Sequence, residues 1–180
     1  MMNFMKKILA ALVLLAAAAM GQQREAVPVR EVNVHIVARH ADGKIFSEQW
    51  VHNLTTTGGL DWLAAEMGGA HPAIASYIAL SNNATAPAVG DCAAGSSSCT
   101  LSGEITGNGL ARAPGTYAHT IGTNTWTLVY TWTATGTQSV QEAGMFNAAS
   151  SGTMVFETQF SSQVNMISGD TLILTWTVTV

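Results

Sequence analysis

In the stretch QEAGMFNAASSGTMVF, residues 141–156, the carboxylate of Glu142 stands two residues before Gly144, ahead of a turn between two apolar runs. A carboxylate there can act as a general acid or base, or it can pin a hairpin by accepting N–H bonds. Glycoside chemistry needs a second carboxylate. No other acid lies close to Glu142 in sequence on one plausible face, and no histidine or nucleophile accompanies it. We therefore expect Glu142 to be structural, accepting backbone N–H groups where its strand begins. Gly144 should permit a bulge or a close approach. Phe146 should enter the core. Acids distant in sequence can still converge in space.

The five histidines are His35, His40, His52, His71 and His119. Asp42-Gly43 is a two-residue type I′ turn signal. Such a hairpin sets His35 opposite Trp50 and Asn33 opposite His52, so the two histidines become diagonal neighbours. A metal pair would need a carboxylate fixed beside it, and none is evident, so surface histidines are expected. Arg39-His40 matches the start of a histidine phosphatase motif over two residues only. It sits on a strand running into a tight turn, not on a phosphate-cradling loop. No Gly-x-Ser-x-Gly, phosphate loop, zinc-protease helix or Cys/His pair is present. No catalytic residue, cofactor or metal is expected.

Cys92 and Cys99 bracket a small Ser-rich loop. A disulfide in an exported chain is expected, stabilising by about 2.5 kcal/mol in the chain-entropy model. A zinc site would need further His or Cys ligands nearby. Export is read from the N-terminus. Lys6 and Lys7 precede the apolar run Ile8 to Met20, and small residues flank it. This pattern is a signal peptide, residues 1–21, cut after Ala19 or Gly21. The run is shorter than the roughly 20 residues of a membrane span, although a retained helical anchor is the alternative. Without this segment five bases oppose 11 acids, a net charge of −6. So few bases exclude nucleic acid as a partner and disfavour anionic membranes.

These residues must be held by strands. Residues 22–30 are a polar lead-in, and residues 31–180 form one domain. Val32, Val34, Ile36 and Ala38 alternate with polar neighbours, and Ile45 to Leu54 returns as the second hairpin strand. Thr57 should cap a short helix carrying Leu60, Trp62, Leu63 and Met67, with Asp61 in its first turn and Gly68-Gly69 ending it. Residues 73–83 are an apolar strand, and 84–99 are a loop by composition. Trp126, Leu128, Tyr130, Trp132 and Ala134 share one face of a strand and threonines the other. Leu172, Leu174, Trp176, Val178 and Val180 repeat the pattern. The final strand should pair centrally, with TWTLVYTWTA as its neighbour. About eight strands, one helix and short links predict an all-β antiparallel sandwich of jelly-roll or immunoglobulin-like type.

Four stretches in order, NLTTTGGLDWLAAEMGG, SYIALSNNATAPAVGD, QEAGMFNAASSGTM and GDTLILTWTVTV, resemble small bacteriophage structural proteins of the tail-fibre-like or virion-decorating kind. The resemblance covers residues 50–180. It implies an all-β virion module without catalytic activity, acting by self-association or with other assembly subunits. The signal peptide and the cysteine pair depart from that pattern. They suit a secreted relative forming an extracellular or periplasmic surface layer or filament, or a virion protein whose N-terminus has another use. The alternative function is a secreted carbohydrate-binding or adhesive module, with Trp50 or Tyr117 meeting surface glycans.

Overall fold

The computed structural model describes residues 31–70 and 73–180. The expected signal peptide, the lead-in and His71 lie outside these residues. The strands are β1 (Glu31–Arg39), β2 (Ile45–His52), β3 (Leu54–Thr55), β4 (Tyr77–Ser81), β5 (Ala113–Pro114), β6 (Thr116–His119), β7 (Thr125–Thr133), β8 (Gln138–Phe146), β9 (Met154–Met166) and β10 (Thr171–Thr179). Among the described residues one helix, α1 (Thr57–Met67), follows β3. The first sheet has the order β2-β1-β10-β7-β6 and the second β3-β9-β8-β4-β5. All pairings within them are antiparallel. The fold is the expected all-β sandwich with one short helix.

Strict alternation explains the first sheet. Leu172, Leu174, Trp176 and Val178 of β10 are buried, as are Val34, Ile36 and Ala38 of β1 and Leu128 and Trp132 of β7. They meet Ala143, Met145, Phe156, Phe160 and Val164 of the second sheet in one core. Each such apolar side chain contributes about 1.5–3 kcal/mol on burial. Trp176 is fully buried, yet its indole Nε1 has no hydrogen-bond partner. Its contribution is volume and apolar surface rather than polar pairing. β10 lies between β1 and β7, with Trp176 opposite Val34 on one side and Leu128 on the other. The central pairing with TWTLVYTWTA is thus as expected. Val180 differs from expectation: it lies past β10 and is 46% exposed. The chain end is tied by Val180 N donating to the Asn124 carbonyl and Asn124 Nδ2 donating to the Val180 carbonyl.

Two local expectations need correction. The β1–β2 register is as predicted, with His35 opposite Trp50 and Asn33 opposite His52, but it shifts between Ala38 and Arg39. His40 N donates to the Lys44 carbonyl and Gly43 N to the His40 carbonyl. Ala41, Asp42 and Gly43 therefore form a three-residue connection. Only Gly43 has positive φ, +87°, whereas a type I′ turn needs it at both central residues. The N-cap of α1 is Thr56, not Thr57; its hydroxyl accepts from Gly59 N. The first turn consequently holds no acid. Asp61 instead accepts from Gly95 N, tying the helix to the disulfide loop. Gly68 caps the C-terminus and Gly69 follows with φ +80°. Gly59 is required for close approach, since a Cβ there would lie 2.1 Å from the Val155 carbonyl oxygen.

Candidate functional site

Strand alternation gives the second sheet two buried faces. Met145 and Phe156 point between the sheets. Phe146, Met154, Ala79 and partly buried Tyr77 point outward and form a second cluster with Cys92, Cys99 and Leu101. The segment 82–112 therefore covers this outer face. Cys92 and Cys99 form the expected disulfide, with Cα atoms 5.4 Å apart. Arg112 fastens the cover from the far side. Its guanidinium makes two bonds to Glu104, at 2.9 and 2.7 Å, donates to the Ala148 and Ser151 carbonyls, and lies 3.6 Å over the Phe146 ring. Gly144 is there for close approach rather than as a bulge. A Cβ at Gly144 would sit 2.9 Å from the Phe146 ring and 3.0 Å from Met154 Sδ. The irregularities of β8 fall on either side of it, at Val140/Glu142 and Met145/Phe146.

Under this cover lies a pair of carboxyl groups. In the β8–β9 register Glu142 faces Gln159 and Gly144 faces Glu157. Glu142 and Glu157 are therefore diagonal neighbours on one face, a spacing that long side chains bridge. Ser81, opposite Glu142 in the β4–β8 register, and Asn83 stand beside them. Glu142 is 1% exposed and Glu157 2%. One oxygen of each, Oε2, has no hydrogen-bond partner. This corrects the expectation for Glu142. It lies within β8, not at its start, and a partner acid does accompany it, brought from 15 positions away by the hairpin.

The electrostatics follow from burial and from the absence of a nearby base. Among the described residues the bases are Arg39, Lys44 and Arg112. Arg39 bonds the Gly43 carbonyl, Lys44 belongs to the β1–β2 connection, and Arg112 is held by Glu104. Burial pushes the Glu157 carboxyl up to about 9, with the Glu142 charge and hydrogen bond and the Asp91 carboxylate adding to it. Burial also raises Glu142, and Asp91 adds to the rise, while bonds from Glu157, Asn83 and Ser81 oppose it. At neutral pH the pair shares a proton, because two charges cannot both persist so close in a poorly solvated place. Glu157 borders a cavity of about 270 Å³ lined also by Asn83, Thr85, Asp91, Thr100 and Ser102.

The histidines stay apart from this pair. His35 Nε2 lies 2.8 Å from Glu48 Oε1, and its ring stacks on Trp50 with centroids 4.0 Å apart. A carboxylate is thus fixed beside His35, contrary to expectation, while His52 is exposed on the same face. His40 Nδ1 lies 3.1 Å from Asp170 and its ring stacks on Phe46. Among the described residues no three His, Cys, Asp or Glu side chains converge as a metal cluster. No described helix is long and apolar enough to cross a membrane.

The outer face of the first sheet contrasts with that of the second. Asn33, His35 and Val37 of β1, Ile173, Thr175 and Thr177 of β10, and Thr127, Val129 and Thr131 of β7 lie side by side on it. Thr131 is exposed, Val37 is buried and the rest are partly buried. Ionisable side chains other than His35 keep to the margin, at Glu31, Arg39, Glu48 and His52. Trp50, 66% exposed, stands on β2 at one edge, and exposed Tyr117 on β6 at the other. Comparison with protein-family models, with curated proteins and with solved structures finds no match for this chain.

Proposed function

We propose that this protein is a non-enzymatic structural subunit that associates through the outer face of its first sheet. The asymmetry between the two outer faces carries this reading. One is sealed by a disulfide-stapled, arginine-fastened cover, and the other presents threonine, valine and isoleucine with charge confined to its rim. Charge depletion at the centre of a patch with a polar margin is the composition of a contact surface. Threonine rows on a central strand also lose little side-chain entropy on contact, because β-branching already restricts χ1. The resemblance to small phage structural proteins favours the same role, in a virion or in an extracellular layer. The near-complete burial of Glu142 and Glu157 supports the non-enzymatic reading, since neither carboxyl is open to a large substrate.

The test is Thr175→Lys with Thr177→Lys. Both positions face outward, so the fold should survive. Two ammonium groups buried without partners would oppose association. Light scattering should show the parent assembling and the variant monomeric. A variant that assembles like the parent removes this face from the account.

Trp50 favours a second reading, in which the module binds carbohydrate. One side of its indole is stacked on His35, leaving the other side free. Tyr117 lies on the opposite edge strand, so the two rings do not form one platform. Binding on a glycan array that Trp50→Ala abolishes would favour this reading over assembly.

A further inference from the structure

The Glu142–Glu157 pair raises a question that assembly does not answer. Two carboxyl groups are buried on neighbouring strands, and no base among the described residues lies against them. Each leaves an oxygen without a hydrogen-bond partner. A pair kept only to hold the sheet together would be better served by Gln, which brings its own donor. A third carboxylate, Asp91, faces the pair from the covering segment, and its Oδ2 accepts from Ala88 N at 2.6 Å. Neutral oxygens stand close by. The Ser81 hydroxyl donates to the Ser102 carbonyl, and Asn83 Oδ1 accepts from Thr85 N while its side chain reaches Glu142. The cavity at Glu157 gives a way in from solvent.

We propose that Glu142 and Glu157 form a binding site for a hard divalent cation of the calcium class, reached through the cavity beside Asn83, Asp91 and Ser102. Such an ion takes six to eight oxygens of mixed kind, carboxylate, amide, carbonyl and water. It therefore needs no cluster of three acidic or imidazole side chains. It would displace the shared proton, give both orphan oxygens a partner and balance the carboxylate charge that no described base offsets. Magnesium fits less well, because it demands near-octahedral geometry and sheds its waters reluctantly. Zinc prefers sulfur and nitrogen donors, which the pair lacks. The ion would also join the β8–β9 hairpin to residues 81–91, pinning the cover at the end away from Arg112. This inference is independent of how the molecule associates.

The test uses the purified full-length protein, with its disulfide intact, stripped with EDTA and dialysed. Calorimetric titration with calcium chloride should show one ion per chain, and the melting temperature should rise and saturate with calcium. Glu142→Gln and Glu157→Gln should each lose the binding heat and the thermal shift. Gln keeps the size of Glu while removing its charge, and melting in EDTA checks that each variant is folded. The proposal is overturned if the parent protein shows neither heat nor thermal shift at about 10 mM calcium, above the roughly millimolar affinities of extracellular calcium modules. It is equally overturned if both folded variants bind calcium as the parent does.

Discussion

Raising the pH from about 6 to about 8 should weaken the fold, and Glu157 should be the main cause. In the folded protein its carboxyl holds a proton up to about pH 9, whereas its ordinary value is 4.5. Between those values the folded state keeps a proton that the unfolded chain has released. Stability is therefore full below the lower value and falls as pH climbs towards the upper one. Each unit of pH inside the window costs about 1.4 kcal/mol, so two units cost about 2.7 kcal/mol. That is a large share of the 5–15 kcal/mol typical of a domain. Glu157→Gln removes the titration and supplies a permanent donor to Glu142. The variant should match the parent near pH 6 and exceed it near pH 8 by about 2–3 kcal/mol. Urea denaturation at both pH values, in EDTA, measures the difference. Every other group is common to both proteins and cancels in the comparison. Parallel pH dependence in parent and variant, or a parent that gains stability with pH, would refute the reasoning.

Further outcomes follow from packing. Deleting residues 175–180 should abolish folding, because it removes Trp176 from the core and half of the strand joining β1 to β7; a cooperative thermal transition in the truncated chain would contradict this. Gly59→Ala should cost more than Gly144→Ala in chemical denaturation, since the new methyl meets the Val155 carbonyl at Gly59 but the movable Phe146 and Met154 side chains at Gly144; overpacking at Gly144 should cost about 1–3 kcal/mol. Cys92→Ala with Cys99→Ala should lower stability by about 2.5 kcal/mol, and mass spectrometry of the unreduced parent should show the 92–99 linkage.

The strands most legible in the sequence are those buried on one side only. In β7 and β10 apolar residues alternate with threonine, broken only by Val129 and Ile173 on the threonine face, so face, pairing and central position all follow from period two. The hairpin register was legible at Trp50 and His52, but the turn was not. Asp-Gly announces a tight reversal without saying whether one or two residues take positive φ. The helix cap slipped by one residue because three consecutive threonines offer equivalent hydroxyls, and only packing against β9 selects Thr56. The acid pair was hidden for a different reason. In MVFETQF and VQEAGMF apolar residues occupy both alternating sets, the mark of a strand covered on both faces. A Glu inside such a run is buried whichever way it points. Two such runs joined by one turn bring their glutamates together, and that signal was present. Closeness in sequence does not reveal it, because β pairing joins residues that are distant.

The central claim is that the uncovered threonine face of the first sheet is a contact between subunits. Sedimentation velocity of the oxidised protein across a wide concentration range tests it most directly, with the Thr175→Lys, Thr177→Lys variant run alongside. The account predicts a concentration-dependent assembly for the parent and a folded monomer for the variant. A parent that sediments as a single monomer at every concentration, or a variant that assembles to the same size, would contradict it.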